Sequence, residues 1–211
     1  MTLTTPTHRL LRTALAAGLL ALLGNARAAG DDYRFDLVHT QVSVCVSHLG
    51  YTHSCGRLHV KSGFFHFDAD DWASAKVDVN VDTTSLDMGD ARWNDKVRSV
   101  FLDAQRYPLA HYVATRAEKA GERGGVAHGT LTLLGRTQPL DLRITFNRAG
   151  RDGYTLHYVA GFSADATFKR STFGIDRDLP DVGDQVDVHI EAEGLRDKDA
   201  QAQSADPDKE R

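Results

Sequence analysis

Residues 154–168 read Y-T-L-H-Y-V-A-G-F-S-A-D-A-T-F. Tyr154, Leu156, Tyr158, Ala160, Phe162, Ala164, Ala166 and Phe168 take every second place in that stretch. Successive side chains of a β-strand point to opposite sides, so a period of two marks a strand with one apolar face. The same alternation recurs through the chain. Val42, Val44 and Val46 lead to His48; Val77, Val79 and Val81 alternate with Asp78, Asn80 and Asp82. Leu131 and Leu133, then Leu140, Leu142, Ile144 and Phe146, and finally Val186, Val188 and Ile190 continue it. With 54–67 and 109–118 this predicts about eight strands joined by Gly-, Asp- and Asn-bearing turns. Such long antiparallel strands, apolar on one face, either stack as a sandwich or close into a barrel, and their length favours the barrel. The fold class is all-β in a single domain.

One segment breaks the pattern. From Asp87 to Asp103 there is no alternation, and Trp93, Val97, Val100 and Phe101 fall at helical spacing before Tyr107-Pro108. The spacing predicts one α-helix, packed on or capping the barrel. The tail from Asp197 carries no apolar residue larger than alanine, which predicts disorder over 197–211.

The start of the chain decides the compartment. Arg9 and Arg12 precede an apolar run from Leu10 to Leu23, followed by Ala26-Arg27-Ala28. That run is shorter than the roughly 20 residues of a membrane-spanning helix. It reads as a secretory signal, residues 1–28, cleaved before Ala29. The expected layout is therefore signal peptide 1–28, barrel domain 29–196 and tail 197–211, with a periplasmic location and no stable membrane anchor. Removing Arg9, Arg12 and Arg27 makes the formal net charge of −4 more negative by three. An acidic chain without a basic stripe excludes nucleic acid as a partner.

Export changes what the two cysteines mean. Residues 42–56 read V-S-V-C-V-S-H-L-G-Y-T-H-S-C-G. A hairpin centred on Gly50 pairs residues whose numbers add to one hundred, and so sets Cys45 opposite Cys55. Directly opposed Cα atoms lie within disulfide reach, and an oxidising compartment favours the bond. Both cysteines follow the polar, outward series. A zinc site from Cys45, His53 and Cys55 lacks short C-x-x-C spacing and a fourth ligand, so no metal and no cofactor are expected. Nothing beside Cys45 marks a catalytic thiol, and no G-x-S-x-G, Walker or H-E-x-x-H pattern occurs. His48 ends the inward series, which sets its imidazole at the mouth of the interior, either bonded within the fold or meeting a ligand headgroup. Arg92, Arg98 and Arg170 are the other candidates for a charged headgroup.

Five segments now resemble one family: Y-R-F-D at 33–36, V-S-H-L-G-Y at 46–51, R-S-V-F-L-D-A-Q-R-Y-P at 98–108, G-T-L-T-L-L-G-R-T-Q-P-L-D-L at 129–142 and K-R-S-T-F-G-I at 169–175. In this order they resemble the YceI-like family over roughly 33–195. The resemblance implies a lipocalin-like antiparallel barrel of eight strands with one helix, exported, with a tendency to dimerise. It implies a long apolar cavity for a polyisoprenoid or similar long-chain amphiphile. Where the family helix carries R-D-x-H-L, this chain reads W-N-D-K-V, so a headgroup contact through that histidine is not implied here. The cavity-lining residues expected are Val44, Val46, Phe101, Phe162 and Phe168, with His48 near the mouth. The reading is a non-catalytic carrier. The alternatives are a filled structural or partner-binding barrel and, third, an envelope lipid-processing enzyme acting through His48 and a nearby acid.

Overall fold

The computed structural model describes residues 30–204. Residues 1–28, expected to be a signal peptide, and the last part of the expected tail, 205–211, lie outside the described residues. The strands are β1 (Asp31–Phe35), β2 (Gln41–His48), β3 (Thr52–Phe67), β4 (Lys76–Asp87), β5 (Leu109–Ala120), β6 (Gly124–Leu133), β7 (Arg136–Arg151), β8 (Tyr158–Lys169) and β9 (Val182–Arg196). The helices are α1 (Ala91–Lys96) and α2 (Ala200–Ser204). All pairings are antiparallel, and the sheet closes on itself through β3–β4 and β2–β9.

Nine strands make an eight-position ring. Phe67 to Phe64 of β3 pair with β1, while Leu58 to Thr52 pair with β2. On the other side β9 does the same, meeting β2 up to Glu191 and β1 from Gly194. β1 and β2 therefore share one place in the barrel as an interrupted strand, which is why the short 31–35 segment escapes a count by alternation. Gly63, at φ +145°, sits where β3 bends between its two partners, and a Cβ there would strike the backbone of Asp78 and Val79.

Three expectations need correction. Tyr154 and Leu156 are not in a strand: Asp152 Oδ1 accepts the Tyr154 and Thr155 N–H groups and folds 152–157 into a hairpin loop. The helix is shorter than 87–103, and its last turn, Val97–Phe101, opens to π-helical bonding, with Leu102 N–H donating to Val97 O at 3.0 Å. The tail does not become irregular at Asp197, because the Asp197 N–H donates to Asp32 O at 2.9 Å and α2 follows with Ala200 buried. A single alanine with room beneath it suffices to dock that turn, a signal too small for a compositional reading.

The barrel has one plugged end. Tyr33 stacks on Phe65 at 4.9 Å, Phe67 meets Trp72 at 5.3 Å and Phe162 at 4.8 Å, and Phe146 meets Phe162 at 5.3 Å. Glycine makes room for this cluster, since a Cβ at Gly194 would enter the Phe65 ring. Burial pushes the Tyr33 phenol from 10.0 up to about 12, reinforced by Asp31 and Tyr158 and opposed by Arg196. Burial also raises the pKa of Tyr112, whose hydroxyl donates to Leu140 O at 3.2 Å. A phenol whose folded pKa is raised stabilises fully below its unfolded pKa and loses that contribution as pH climbs through the folded value. The urea midpoint should hold to about pH 10 and fall between there and about pH 12. A flat midpoint across that window would contradict the burial of both phenols.

The β2–β3 hairpin has the expected register. Val42 pairs with Leu58, Cys45 with Cys55 and His48 with Thr52. Leu49 and Gly50 turn the chain with φ of +52° and +71°. The Cys45–Cys55 disulfide is formed, its Cα atoms 4.1 Å apart, and Cys55 is exposed on the outer face. With a separation of 10 residues the chain-entropy argument gives something under about 3 kcal/mol. Because β2 is hydrogen-bonded on both sides, Cys45→Ser with Cys55→Ser should keep the fold and lower the melting temperature by a few degrees. An unchanged melting temperature would mean that the bond merely decorates a hairpin already fixed by its neighbours.

Candidate functional site: an apolar cavity under a capping helix

An elongated cavity of about 360 Å³ runs through the barrel, within the roughly 300–1,000 Å³ of small-molecule sites. On β9 its lining runs from Val182 to Ala192, about 33 Å along a strand at roughly 3.3 Å per residue. Strand tilt of about 40° shortens this to about 25 Å along the axis. The walls are the inward series of the sequence. Val44, Val46, Phe162 and Phe168 all line it, as do Phe101 from the cap and His48. Alternation locates these positions because a strand in a closed barrel has only an inside and an outside.

The plugged end narrows onto Phe65, Phe67 and Phe162. The other end is capped by α1 and the π-turn. Asp90 caps α1 by accepting the Trp93 N–H at 3.0 Å. Asn94 Nδ2 donates to Asp87 Oδ1 at 2.9 Å and Arg98 Nε to Leu86 O at 2.9 Å, fixing the cap to the end of β4. Phe101 and Leu102 pack on Leu133, Phe173 and Ile175. Trp93 meets the His48 ring edge-on at 6.0 Å, and Lys96 pairs with Asp178 at 3.7 Å across to the β8–β9 loop.

The three arginines separate. Arg92 is exposed on the cap, and Arg98 is spent on Leu86 O. Arg170, only 4% exposed, donates from Nε to Gly183 O at 2.8 Å, from Nη1 to Ile175 O at 2.8 Å and from Nη2 to Val182 O at 2.7 Å. Its guanidinium lies over the Phe101 ring at 5.6 Å. Burial pushes its pKa down, opposed by Asp184, Asp178 and Asp176, yet a guanidinium stays charged. The Val182 and Gly183 carbonyls belong to a bulge in β9, where pairing with β2 jumps from Val46–Val186 to His48–Val182, and the Ile175 carbonyl belongs to the turn after β8. Ser171 completes the clamp by donating from N and Oγ to Asp184, each at 2.9 Å. Arg170 thus shapes the cavity end; a headgroup would compete with three carbonyls for it. Sequence reasoning could place Arg170 at a strand end but could not see the bulge that claims it.

Cap residues Trp93, Lys96 and Leu102, with Met88, also line the cavity, beyond the lining residues that the sequence leads one to expect. Trp93 and the helical spacing of 93–101 were the available signal, but which face of the helix looks inward depends on how the loop closes. Among the described residues no carboxylate lines the cavity beside His48.

The sequence matches the YceI-like domain model over residues 33–194. It is 35% identical over 191 residues to a UPF0312 protein of Shewanella baltica, covering 89% of this chain and 98% of that one. The structure is similar to Burkholderia cenocepacia BcnA, with a TM-score of 0.64 and 24% identity over 75% of this chain and 98% of that chain. It is also similar to a polyisoprenoid binding domain from Saccharophagus degradans, with a TM-score of 0.58 and 15% identity over 78% of this chain and 98% of that chain. At such identities the two structures attest the shared barrel, while the sequence matches attest kinship: the chain belongs to the YceI-like family.

Proposed function

We propose that this protein is an exported, non-catalytic carrier of one long-chain amphiphile, a polyisoprenoid or a lipid of similar length, held in the barrel cavity. The observation that carries the reading is the cavity itself: long, narrow, walled by apolar side chains, plugged by aromatic rings at one end and reaching partly exposed Trp93 and Lys96 at the other. The ligand class named for the Saccharophagus degradans domain supports it. The disulfide and the basic–apolar–A-x-A start of the chain support export to the periplasm. A filled barrel would leave no such cavity, and hydrolysis through His48 would need an acid partner that the described cavity walls do not offer it.

A carrier of this kind reads length more than headgroup. Each buried CH₂ contributes about 0.8 kcal/mol, or roughly fourfold in affinity. In competition binding, prenyl alcohols of increasing length should tighten steeply until the cavity is filled and then level off. Changing the head from hydroxyl to carboxylate should matter less than one isoprenoid unit. An affinity independent of chain length would sink the proposal.

A further inference from the structure

The capped end of the cavity is lined by His48, Trp93, Lys96, Ile175 and Val182, and the β2–β3 turn at 49–51, the cap helix and the loop 176–181 border it. These three segments are bound together, since Leu49 N–H donates to Asp181 O at 2.7 Å, His48 meets Trp93, and Lys96 meets Asp178. Around this end large apolar side chains face water: Leu49, Tyr51, Trp93, Val100 and Leu179. Leu49 is the most telling. It is 50% exposed and holds φ at +52°, a conformation that suits glycine or asparagine better than leucine. Neither burial nor backbone geometry favours a leucine there. Tyr51, two residues on, is 85% exposed.

We infer that this rim is a docking surface for a lipid bilayer, which the protein meets mouth-first so that an acyl or isoprenoid chain passes into the cavity without crossing water. The inference rests on the carrier reading above and adds the partner. Continuity singles out the bilayer: the exposed apolar ring surrounds the cavity's own capped end, and Trp93 belongs to both. The opposite end differs. Leu37, Val38, Tyr154 and Leu156 are exposed there too, but they stand in two loops ordered by Asp36 and Asp152, at the end closed by aromatic rings and away from Trp93 and Lys96 of the cavity lining. The mouth carries charges of both signs, such as the Lys96–Asp178 pair, so apolar insertion rather than attraction to anionic lipid drives the contact.

The test uses the exported protein and sucrose-loaded phosphatidylcholine vesicles, some with brominated chains. The chain has two tryptophans, Trp93 at the mouth and Trp72 buried in the plug, so quenching reports which end meets the bilayer. The protein should sediment with vesicles at low and high salt, with Trp93 quenched and Trp72 not. Leu49→Asn with Tyr51→Ser, neither of which lines the cavity, should weaken sedimentation by roughly tenfold or more while the folded protein keeps its lipid. Val38→Ser with Tyr154→Ser should leave sedimentation unchanged. Undiminished sedimentation of the mouth variant, or equal loss by the closed-end variant, overturns docking. If the mouth pair instead turns a dimer into a monomer and no form sediments with vesicles, the face joins two copies and the proposal falls. Lipid content is measured in the same preparations. Retained lipid without sedimentation defeats docking alone, and sedimentation of a protein that never holds lipid defeats the carrier reading alone.

Discussion

Replacing Arg170 with methionine is expected to remove roughly 3–5 kcal/mol of stability. Methionine fills much of the same volume but takes the Arg170 donors from the buried carbonyl of Ile175 and the partly buried carbonyls of Val182 and Gly183. A stranded buried acceptor costs about 1–3 kcal/mol, and three share the loss. For a chain of this size that corresponds to a fall in melting temperature of about 10 °C. Arg170→Lys should recover only part of it, because an ammonium cannot span three acceptors as the guanidinium fork does. The β9 bulge should loosen with it, detected as faster amide exchange at Val182 and Gly183. A loss below about 1 kcal/mol for the methionine variant would show that the bulge is held by backbone pairing and that the clamp is incidental.

Filling the cavity should separate binding from folding. Ala164 on β8 and Ala192 on β9 both line it. Phenylalanine at both places adds apolar volume to empty space, so stability should be kept or raised. Ligand affinity should fall steeply. Excluding one five-carbon isoprenoid unit forfeits about 4 kcal/mol, on the order of a thousandfold. Phe162→Asp is a blunter probe of the same wall. Its ring touches Phe65, Phe67 and Phe146, so a carboxylate there breaks the plug as well as the pocket. A doubly filled variant that folds and binds long chains as before would place the ligand outside the barrel.

These contrasts also show where sequence carries the fold and where it does not. Period-two patterning in Val42–Val46, Leu140–Phe146 and Tyr158–Phe168 gives both the strands and their inward face, because a barrel leaves each side chain two choices. The same parity sets Cys45 against Cys55 once Gly50 is taken as the turn. It fails where alternation is accidental. Tyr154 and Leu156 keep the period yet stand in a loop, since Asp152 offers the backbone a competing set of hydrogen bonds. It is silent on β1, too short to show a period, and on the β9 bulge, where Arg170 and Ser171 reach across from the end of β8. The cap is half legible: helical spacing announces α1, but the π-turn that carries Phe101 over the cavity comes from how the segment docks on Leu133, Phe173 and Ile175.

The most direct test of the account is to purify the protein from its native cells, extract it with organic solvent and weigh what comes out by mass spectrometry. The account predicts one long apolar chain per barrel, present in the unaltered protein and in Cys45→Ser/Cys55→Ser, and missing from Ala164→Phe/Ala192→Phe. An extract without stoichiometric lipid, from folded protein whose cavity admits no prenyl alcohol, would contradict it.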